Sequence, residues 1–386
     1  YRAGAELMDL EFTQFHPTGM VWPPSVKGIL VTEGVRGEGG VLLNNKNERF
    51  MFNYIPEKFA AETADTIEEA ERWLNGDREA RRPPELLTRD VVAKAIMKEV
   101  KAGRGSKNGG AYLDIASRQS AEHIKKKLPS MYHQFKELAE VDITKEPMEV
   151  GPTLHYFMGG IKVDHDTQST NIPGLYACGE CAAGLHGANR LGGNSLSDLL
   201  VFGKRSGEYA SQYCNDNQLE PTNEQDIAEI IRKATDILNK EEGKNPFVIH
   251  EDLQKIMNNH VGIVREENEL IEGIKKIEDL KTDIAQVKAH PTSQYNPGWN
   301  AAIDLSNIII ASEAVAKSAL LREESRGGHT RLDFPDETEK GLEYNVVIKQ
   351  GDNGEMETQK EMRSAPPENL SKIALSSLQD LEGENE

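Results

Sequence analysis

The first 150 residues carry both strand-like and helix-like patterns of hydrophobic and polar positions. Residues 7–12 alternate apolar and polar as a half-buried strand does, and residues 26–31 form a second short apolar run. Apolar positions recur at helical spacing in residues 58–75, 89–102 and 117–140. The pattern therefore predicts strands and helices mixed within this part of the chain.

The pattern changes after residue 150, where glycine is frequent and charges are sparse. Residues 175–178 form a short apolar run that predicts a buried strand, and residues 195–213 predict a helix. A glycine-rich loop lies between them. A strand, a glycine-rich loop and a helix in this order bring backbone N–H groups against an anionic ligand, so we expect an anion-binding loop here.

The remainder of the chain is helical and then polar. Residues 222–325 favour three or four helices packed as a bundle, and the last of these is a long helix over residues 301–321. From Arg331 onward, 14 acidic residues stand against 6 basic ones. We expect an acidic tail that wraps a surface and contains a short strand pair near residues 344–349 and 355–360.

Composition narrows the classes of partner. The chain has 386 residues and a formal net charge of −19, which argues against nucleic acid because phosphate binding needs clustered Lys and Arg. Its three cysteines, Cys178, Cys181 and Cys214, are too few for a disulfide framework. Neither the cysteines nor the histidines have the spacing of a metal site. The sequence therefore predicts no nucleic-acid partner and no metal.

Five short segments contain residues that could carry chemistry. Each combines His, Arg, Thr or Glu with glycines or a helix start, and they are residues 15–19 (FHPTG), 32–40 (TEGVRGEGG), 88–90 (TRD), 153–160 (TLHYFMGG) and 179–196 (GECAAGLHGANRLGGNSL). His16 follows the first predicted strand, where loop side chains point into clefts. Thr88 is placed to cap the helix that Arg89 opens.

Taken together, these segments supply two His, two Arg, one Thr and one Glu around a glycine-rich loop. Arginine and histidine bind carboxylates, and the guanidinium fork suits a carboxylate or a phosphate. No Ser–His–Asp set or pair of carboxylates competes with this arrangement. The sequence predicts a site for a dianionic substrate beside a loop that holds an anionic cofactor.

The same segments, in this order, resemble the flavoprotein subunits of succinate dehydrogenase and fumarate reductase. The resemblance covers roughly residues 1–340, and it includes residues 324–329 (ESRGGH) and 333–335 (DFP). It implies an α/β plus α fold, in which part of a Rossmann-like FAD-binding domain carries an inserted α+β capping domain. A helical bundle and an acidic C-terminal tail would follow.

The resemblance also implies domain boundaries. The FAD-binding domain would comprise residues 1–35 and 149–215, with the capping domain over residues 36–148 between them. The helical domain would cover residues 220–328 and the tail residues 329–386. Closure of the capping domain over the flavin would expel water from the site.

The resemblance assigns roles to individual residues. The substrate carboxylates would be bound by His16, Thr32, His155 and Arg190. Arg89 would exchange a proton with the substrate carbon, and Glu33 would relay that proton. The residues implied to contact FAD are Glu180, Ser195 and Leu196. The flavin N5 would exchange the hydride on the opposite face of the substrate.

One departure from the family pattern concerns the cofactor. The family carries a strand followed by G-x-G-x-x-G near its N-terminus, and this chain has no such motif. The chain begins at Tyr1 in mid-pattern and without a signal peptide. We therefore expect it to be the C-terminal portion of a longer protein that binds FAD weakly or not at all on its own. The histidine that often bonds covalently to the flavin corresponds to no residue here.

The implied activity is the interconversion of succinate and fumarate, in a direction that the sequence leaves open. Three cysteines cannot ligate an iron–sulfur cluster, so electrons would pass to an iron–sulfur subunit docked on membrane-anchor subunits. The chain would lie at the cytoplasmic side of the membrane, or the matrix side if mitochondrial.

Two alternatives to this activity stay open. The first is L-aspartate oxidase, which tends to have Ala-Ser where this chain has Gly192 and Gly193. The second is an inactive scaffold that only docks an iron–sulfur partner. A scaffold does not need the full set of His and Arg residues, so the set favours an enzyme.

Overall fold

The chain folds into two antiparallel sheets and a set of helices. The structure is a computed structural model that describes residues 1–218 and 221–376. The strands are β1 (Leu7–Met8), β2 (Thr13–Met20), β3 (Val41–Leu43), β4 (Ala111–Asp114), β5 (Met148–Phe157), β6 (Gly160–Ile161), β7 (Tyr344–Gln350) and β8 (Met356–Met362). The α-helices are α1 (Gly34–Gly37), α2 (Ile67–Leu74), α3 (Arg89–Lys101), α4 (Ala121–Lys127), α5 (Pro129–Ala139), α6 (Asn194–Asp216), α7 (Glu224–Asn239), α8 (Pro246–His260), α9 (Glu267–Ala285), α10 (Pro297–Leu321) and α11 (Glu368–Leu375).

The first sheet joins the two ends of the described chain. Its strand order is β6-β1-β7-β8, and Leu7 on β1 pairs with Ile161 on one side and Ile348 on the other. The predicted strand pair of the acidic tail is confirmed as β7 and β8, and it is built into this sheet. Residues 377–386 of the predicted tail lie outside the described residues.

The second sheet carries the residues of interest. Its order is β2-β5-β4-β3, so β2 is an edge strand that pairs antiparallel with β5. Helix α3 packs against the sheet. The core between them is apolar and fully buried, with Leu42, Ile96, Leu113, Phe135 and Val150 at its centre. The sheet therefore gives β2 and the start of α3 a rigid base.

Helices α7 to α10 form the bundle that the sequence predicts for residues 222–325. Leu253, Leu270, Ile277 and Leu305 form its buried core, and α10 also packs against β7 and β8 of the first sheet. Within residues 1–218 and 221–376, no helix has both the length and the apolar character that a membrane crossing requires. The mixed α/β first part and the helical region that follows it are confirmed.

Two predicted strands are wrong. Residues 26–31 do not form a strand, because Pro24 begins a short 3-10 turn and Gly28 has a φ of 92°. Residues 175–178 do not form one either. A turn at Gly174, which has a φ of 79°, comes just before the segment, and Tyr176 forms an isolated antiparallel bridge with Ser169 instead of a regular strand.

Three finer predictions also need correction. The first strand ends at Met8, because Asp9 has a φ of 56°. His16 lies within β2 and not after a strand; Pro17 is tolerated because β2 is an edge strand whose pairing shifts register between His16 and Gly19. Thr88 occupies the N-cap position of α3, but its side chain makes no capping hydrogen bond.

Both sheets of the described residues are antiparallel, so the parallel strands of a Rossmann-like unit are not among them.

A buried ion cluster ties the helical bundle to the start of β2. Arg322, just after α10, contacts three buried carboxylates: Asp9 at 3.2 Å, Glu324 at 3.2 Å, and Glu11. Arg265 donates to the Glu11 carbonyl at 2.8 Å. Because each charge lies out of water, the cluster is stable only while every member keeps its partners.

The substitution Arg322→Met is expected to lower the free energy of unfolding by about 3–5 kcal/mol, because it leaves buried carboxylates without a cation. Urea denaturation measures this. The matched control is Arg232→Ala on α7, whose pair with Asp236 at 2.9 Å is exposed and should contribute no measurable stability. Equal effects of the two substitutions would contradict the assignment of this cluster as an anchor.

Candidate active site

Strands β2 and β5 bring the first group of candidate residues together. Gln14 and His16 are two positions apart on β2, the spacing that puts side chains on one face of a strand. Across the sheet, Gln14 pairs with Tyr156 of β5. The rings of His16 and His155 meet edge to face, with 5.6 Å between their centroids. The two histidines predicted to bind substrate therefore lie next to each other.

The side-chain amide of Gln14 joins the two predicted arginines. Its Nε2 donates to Oδ1 of Asn189 at 2.8 Å and to the carbonyl oxygen of Arg190 at 2.7 Å. Its Oε1 accepts from Nη2 of Arg190 at 2.9 Å and from Nη1 of Arg89 at 3.4 Å. One amide thus connects the start of α3 with the glycine-rich loop before α6.

Glu33 lies between two arginines. Its Oε2 is 3.5 Å from Nε of Arg89 and 3.8 Å from Nη2 of Arg36. Arg36 is buried and donates to the carbonyl of Glu85, yet its Nε and Nη2 have no hydrogen-bond partner among the described residues. Burial lowers the pKa of Arg36 to about 10, although Glu33 acts in the opposite direction. The three side chains form a line that leads from Arg89 into the protein.

Arg190 is a buried cation without an anionic partner. Its residue is 5% exposed, and no carboxylate of residues 1–218 or 221–376 forms an ion pair with it. Its guanidinium lies 4.4 Å from the centre of the Tyr156 ring, and its Nη1 donates to Oγ of Ser195 at 3.4 Å. Burial lowers its pKa, and the charge of Arg89 lowers it further. The site therefore holds positive charge that an anion would neutralise.

The two histidines are neutral near neutral pH. Burial lowers the pKa of His16 to about 3, and the charges of Arg36 and Arg89 act in the same direction. Burial and the charges of Arg89 and Arg190 lower the pKa of His155. Nδ1 of His16 lies 3.0 Å from the backbone carbonyl of Thr18, whereas its Nε2 has no hydrogen-bond partner in the described part of the chain. That nitrogen is available to a ligand.

A cleft of about 360 Å³ opens beside these residues. Gln14, Glu33, Arg89, Asn189 and Arg190 are among the residues that line it. Its volume suits a small ligand. Polar groups and cations therefore converge on one cavity of suitable size.

Three predicted substrate residues lie outside the lining of this cleft: His16, Thr32 and His155. The hydroxyl of Thr32 accepts a hydrogen bond from the Gly34 amide at 3.3 Å, which is a local turn contact. The structure thus brings Glu33, Arg89 and Arg190 into one cavity, and it leaves the other three beside it.

The predicted cofactor residues surround the glycine-rich loop and the start of α6. Oε1 of Glu180 accepts from the Phe157 amide at 3.0 Å, and Leu196 is 68% exposed. A Cβ added at Gly192 or Gly193 would meet no atom within 4 Å, so the backbone of the loop is open to a ligand. Further exposed leucines are Leu191 in the loop and Leu199 and Leu200 on α6.

Sequence reasoning missed Gln14 and Tyr156. Gln14 carried a usable signal, because it lies two positions before His16 on a strand-forming segment. Tyr156 stands beside the predicted His155, but its contact with Arg190 depends on the pairing of β5 with β2 and on the path of the loop. No local pattern reports such a contact.

The substitution His16→Gln is expected to flatten the pH dependence of stability below neutral pH. The pKa of His16 is lowered to about 3 in the folded state, so the unfolded chain takes up the proton first on acidification and wild-type stability falls. The slope from one such residue is at most about 1.4 kcal/mol per pH unit. Urea denaturation at about pH 6.5 and about pH 5 measures it.

The control for this prediction is His133→Gln, since His133 is exposed on α5. It should keep the wild-type slope. A His16→Gln protein that loses as much stability as wild type over the same pH interval would show that His16 is not held neutral.

Comparison with known proteins places these features in a family. Residues 1–196 match the model of the FAD binding domain, and residues 250–372 match the model described as fumarate reductase flavoprotein C-term. The fumarate reductase (CoM/CoB) of Methanothermobacter marburgensis has a chain that is 41% identical over 342 residues, which cover 87% of this chain and 56% of that one. The succinate dehydrogenase flavoprotein subunit of Coxiella burnetii is 34% identical over 91% of this chain and 57% of its own length.

Solved structures agree with these matches. Mycobacterium smegmatis Sdh1 in complex with UQ1 is 49% identical and superposes with a TM-score of 0.81, over 99% of this chain and 60% of that one. Quinol-fumarate reductase with menaquinol molecules is 32% identical, with a TM-score of 0.79 over 95% and 62% of the two chains. The chain thus spans little more than half the length of these relatives. The predicted resemblance and the predicted cofactor of the family are confirmed, and the chain belongs to the FAD-binding flavoproteins of the succinate dehydrogenase and fumarate reductase family.

Proposed function

We propose that this chain forms the dicarboxylate site of a flavoprotein that interconverts succinate and fumarate. The observation that carries the proposal is Arg190, a buried guanidinium that has no carboxylate partner among the described residues and that lies in a cleft with Arg89. A buried unpaired charge is costly unless a ligand neutralises it. A small dianion supplies the missing charge, and the names of the relatives favour succinate and fumarate.

Four residues are proposed to hold the two carboxylates: His16, Thr32, His155 and Arg190. The charged contact comes from Arg190, and the histidines contribute as neutral imidazoles because their pKa values are lowered. Binding a carboxylate to a neutral donor adds direction without a second buried cation. His16, Thr32 and His155 lie outside the lining of the cleft, so the proposal requires them to meet the substrate from one side of it.

Arg89 is proposed to exchange a proton with the substrate carbon. Its Nε is 3.5 Å from Glu33, and Glu33 is in turn 3.8 Å from Arg36. A free arginine is a poor proton donor and acceptor because its pKa is high. Burial lowers the pKa of Arg36 to about 10, and the charge of Arg89 acts in the same direction. Glu33 and then Arg36 would carry the proton toward and from Arg89.

The glycine-rich segment and the start of α6 are proposed to contact FAD through Glu180, Ser195 and Leu196. The fit rests on the open backbone at Gly192 and Gly193 and on the exposed leucines beside the helix N-terminus, which together suit a ligand with anionic groups and a planar ring. When bound, FAD supplies or accepts the hydride. The residues of this chain hold the substrate and move its proton.

The segment that contributes β3 and β4 to the second sheet is proposed to be the capping domain, and its closure would exclude water from the cleft. Residues 36–148 are the predicted extent of that domain. An iron–sulfur subunit is the proposed electron partner, and membrane-anchor subunits would hold the assembly at the membrane surface. Two related structures are named with UQ1 and with menaquinol, which favours a quinone as the final electron partner beyond the iron–sulfur subunit.

L-aspartate oxidase remains a second candidate, and no contact among the described residues favours it. Both activities need a dicarboxylate site, so a substrate test separates them. Aspartate-dependent peroxide production by the protein with FAD would reverse the ranking. Succinate-dependent reduction of a dye, or fumarate-dependent oxidation of a reduced dye, supports the proposal.

The substitution Arg89→Gln is expected to lower turnover by about 10²–10⁴-fold, because general acid–base catalysis contributes about that much. KM for the dicarboxylate should change by only a few-fold, since Arg190 and the histidines still hold the substrate. Steady-state dye assays of the protein supplied with FAD measure both constants. The control is Arg78→Gln, an exposed arginine on the loop after α2.

A wild-type rate that survives Arg89→Gln unchanged would remove Arg89 from the proposed chemistry. A protein that binds neither succinate nor fumarate would contradict the dicarboxylate site itself. Visible absorbance from bound flavin in the purified chain would contradict the expectation of weak FAD binding, and it would leave the substrate proposal intact.

A further inference from the structure

A buried tyrosine, histidine and aspartate extend from Arg190, and they are not among the residues that line the cleft. Tyr156 lies on β5, His186 in the glycine-rich loop and Asp198 in the first turns of α6. The side chains of His186 and Asp198 are 8% and 4% exposed. We call Tyr156, His186 and Asp198 the tyrosine platform.

The platform is a continuous chain of contacts. The guanidinium of Arg190 lies 4.4 Å from the centre of the Tyr156 ring. Oη of Tyr156 is 3.2 Å from Nε2 of His186, and the same Nε2 is 3.5 Å from a carboxylate oxygen of Asp198. The rings of Tyr156 and His186 also meet edge to face at 5.5 Å. The tyrosine ring is therefore fixed both at its face and at its hydroxyl.

Arg190 is held between two residues that are partners in one sheet. Gln14 and Tyr156 are opposite each other in the β2–β5 pairing. Gln14 accepts a hydrogen bond from Nη2 of Arg190, and Tyr156 supplies the aromatic face. An aromatic ring attracts a cation without neutralising it, so the charge of Arg190 stays available to a ligand. A carboxylate at the same place would cancel that charge.

We infer that the tyrosine platform positions Arg190 to select a second carboxylate on the substrate, and that it links this selection to helix α6. The inference rests on the proposed function, because it names what orients the proposed substrate arginine. Asp198 lies on the helix whose first residues, Ser195 and Leu196, are proposed to contact FAD. Ser195 itself accepts a hydrogen bond from Arg190 at 3.4 Å. Arg190 is therefore connected to helix α6 in two ways, directly at Ser195 and through the tyrosine platform at Asp198.

The platform residues do not enter the cleft, so they act through Arg190 as positioning residues. A residue that only fills the core would affect the binding of every ligand equally when replaced. A residue that orients Arg190 affects ligands with a second carboxylate and spares those without one. That difference separates the two roles.

The test compares fumarate with crotonate, in which a methyl group replaces one carboxylate. Isothermal titration calorimetry of the full chain gives the ratio of the two dissociation constants. We expect wild type to prefer fumarate, and we expect Tyr156→Leu to lower this preference about tenfold by removing the aromatic face. Arg190→Gln should lower it at least as much.

The substitution Tyr156→Phe keeps the ring and removes the hydroxyl that reaches His186. It should lower the preference about threefold, as should Asp198→Asn. Because both substitutions break the same chain of contacts, the double variant should be no worse than the worse single variant. Independent, multiplicative effects would overturn the platform as a connected unit. If Tyr156→Leu does not fold, the comparison of Tyr156→Phe, Asp198→Asn and their double variant still tests whether the platform acts as a connected unit.

The matched control is Tyr132→Leu in α5. The Tyr132 ring also lies beside cations, at 5.0 Å from Nζ of Lys125 and 5.2 Å from Nζ of Lys136, but Tyr132 does not line the cleft. It should keep the wild-type preference. If wild type prefers fumarate and Tyr156→Leu and Tyr156→Phe keep that preference in full, the platform inference is wrong and the proposed function stands. If wild type does not prefer fumarate, the proposed function fails and the inference fails with it.

Discussion

The candidate site depends on one side-chain amide that two arginines share. Oε1 of Gln14 accepts hydrogen bonds from Arg89 and from Arg190, although the two cations repel each other. A neutral acceptor can hold two guanidinium groups without removing their charge, which a carboxylate in the same place would do. The arrangement therefore keeps positive charge in the cleft and fixes its position.

This local excess of cations contrasts with the chain as a whole, whose net charge is −19. Most charged side chains lie at the surface, where water screens them. In the cleft, the carboxylate of Glu33 contacts Arg89 and Arg36. The guanidinium of Arg190 has no carboxylate partner among the described residues, so its charge can bind the ligand. The division separates a proton-carrying half of the site from a substrate-holding half.

The sequence predicted the elements with strong periodicity and the residues within dense motifs. Helices α3 and α6, the bundle, and the strand pair β7–β8 follow from hydrophobic spacing along the chain. The strand predictions for the apolar runs at residues 26–31 and 175–178 were wrong because a single glycine with positive φ turns the backbone at or just before each run. The apolar pattern alone does not show the conformation of such a glycine.

The site shows the same division between local and long-range information. Arg190 stood out because it lies in a glycine-rich motif with few structural explanations, whereas the roles of Arg89 and Glu33 came from the family resemblance. Gln14 and Tyr156 did not stand out, because their roles arise from the antiparallel register of β2 with β5 and from a loop about 30 residues further along the chain. Pairing across a sheet is decided by the whole core, and no short window contains it.

A crystal structure of the protein with fumarate bound shows whether Arg190 and Arg89 form the dicarboxylate site. We expect one carboxylate of fumarate beside His16 and His155, the second on the guanidinium of Arg190, and the double bond next to Arg89. Fumarate bound elsewhere, with the guanidinium of Arg190 left without a ligand at saturating concentration, would contradict it.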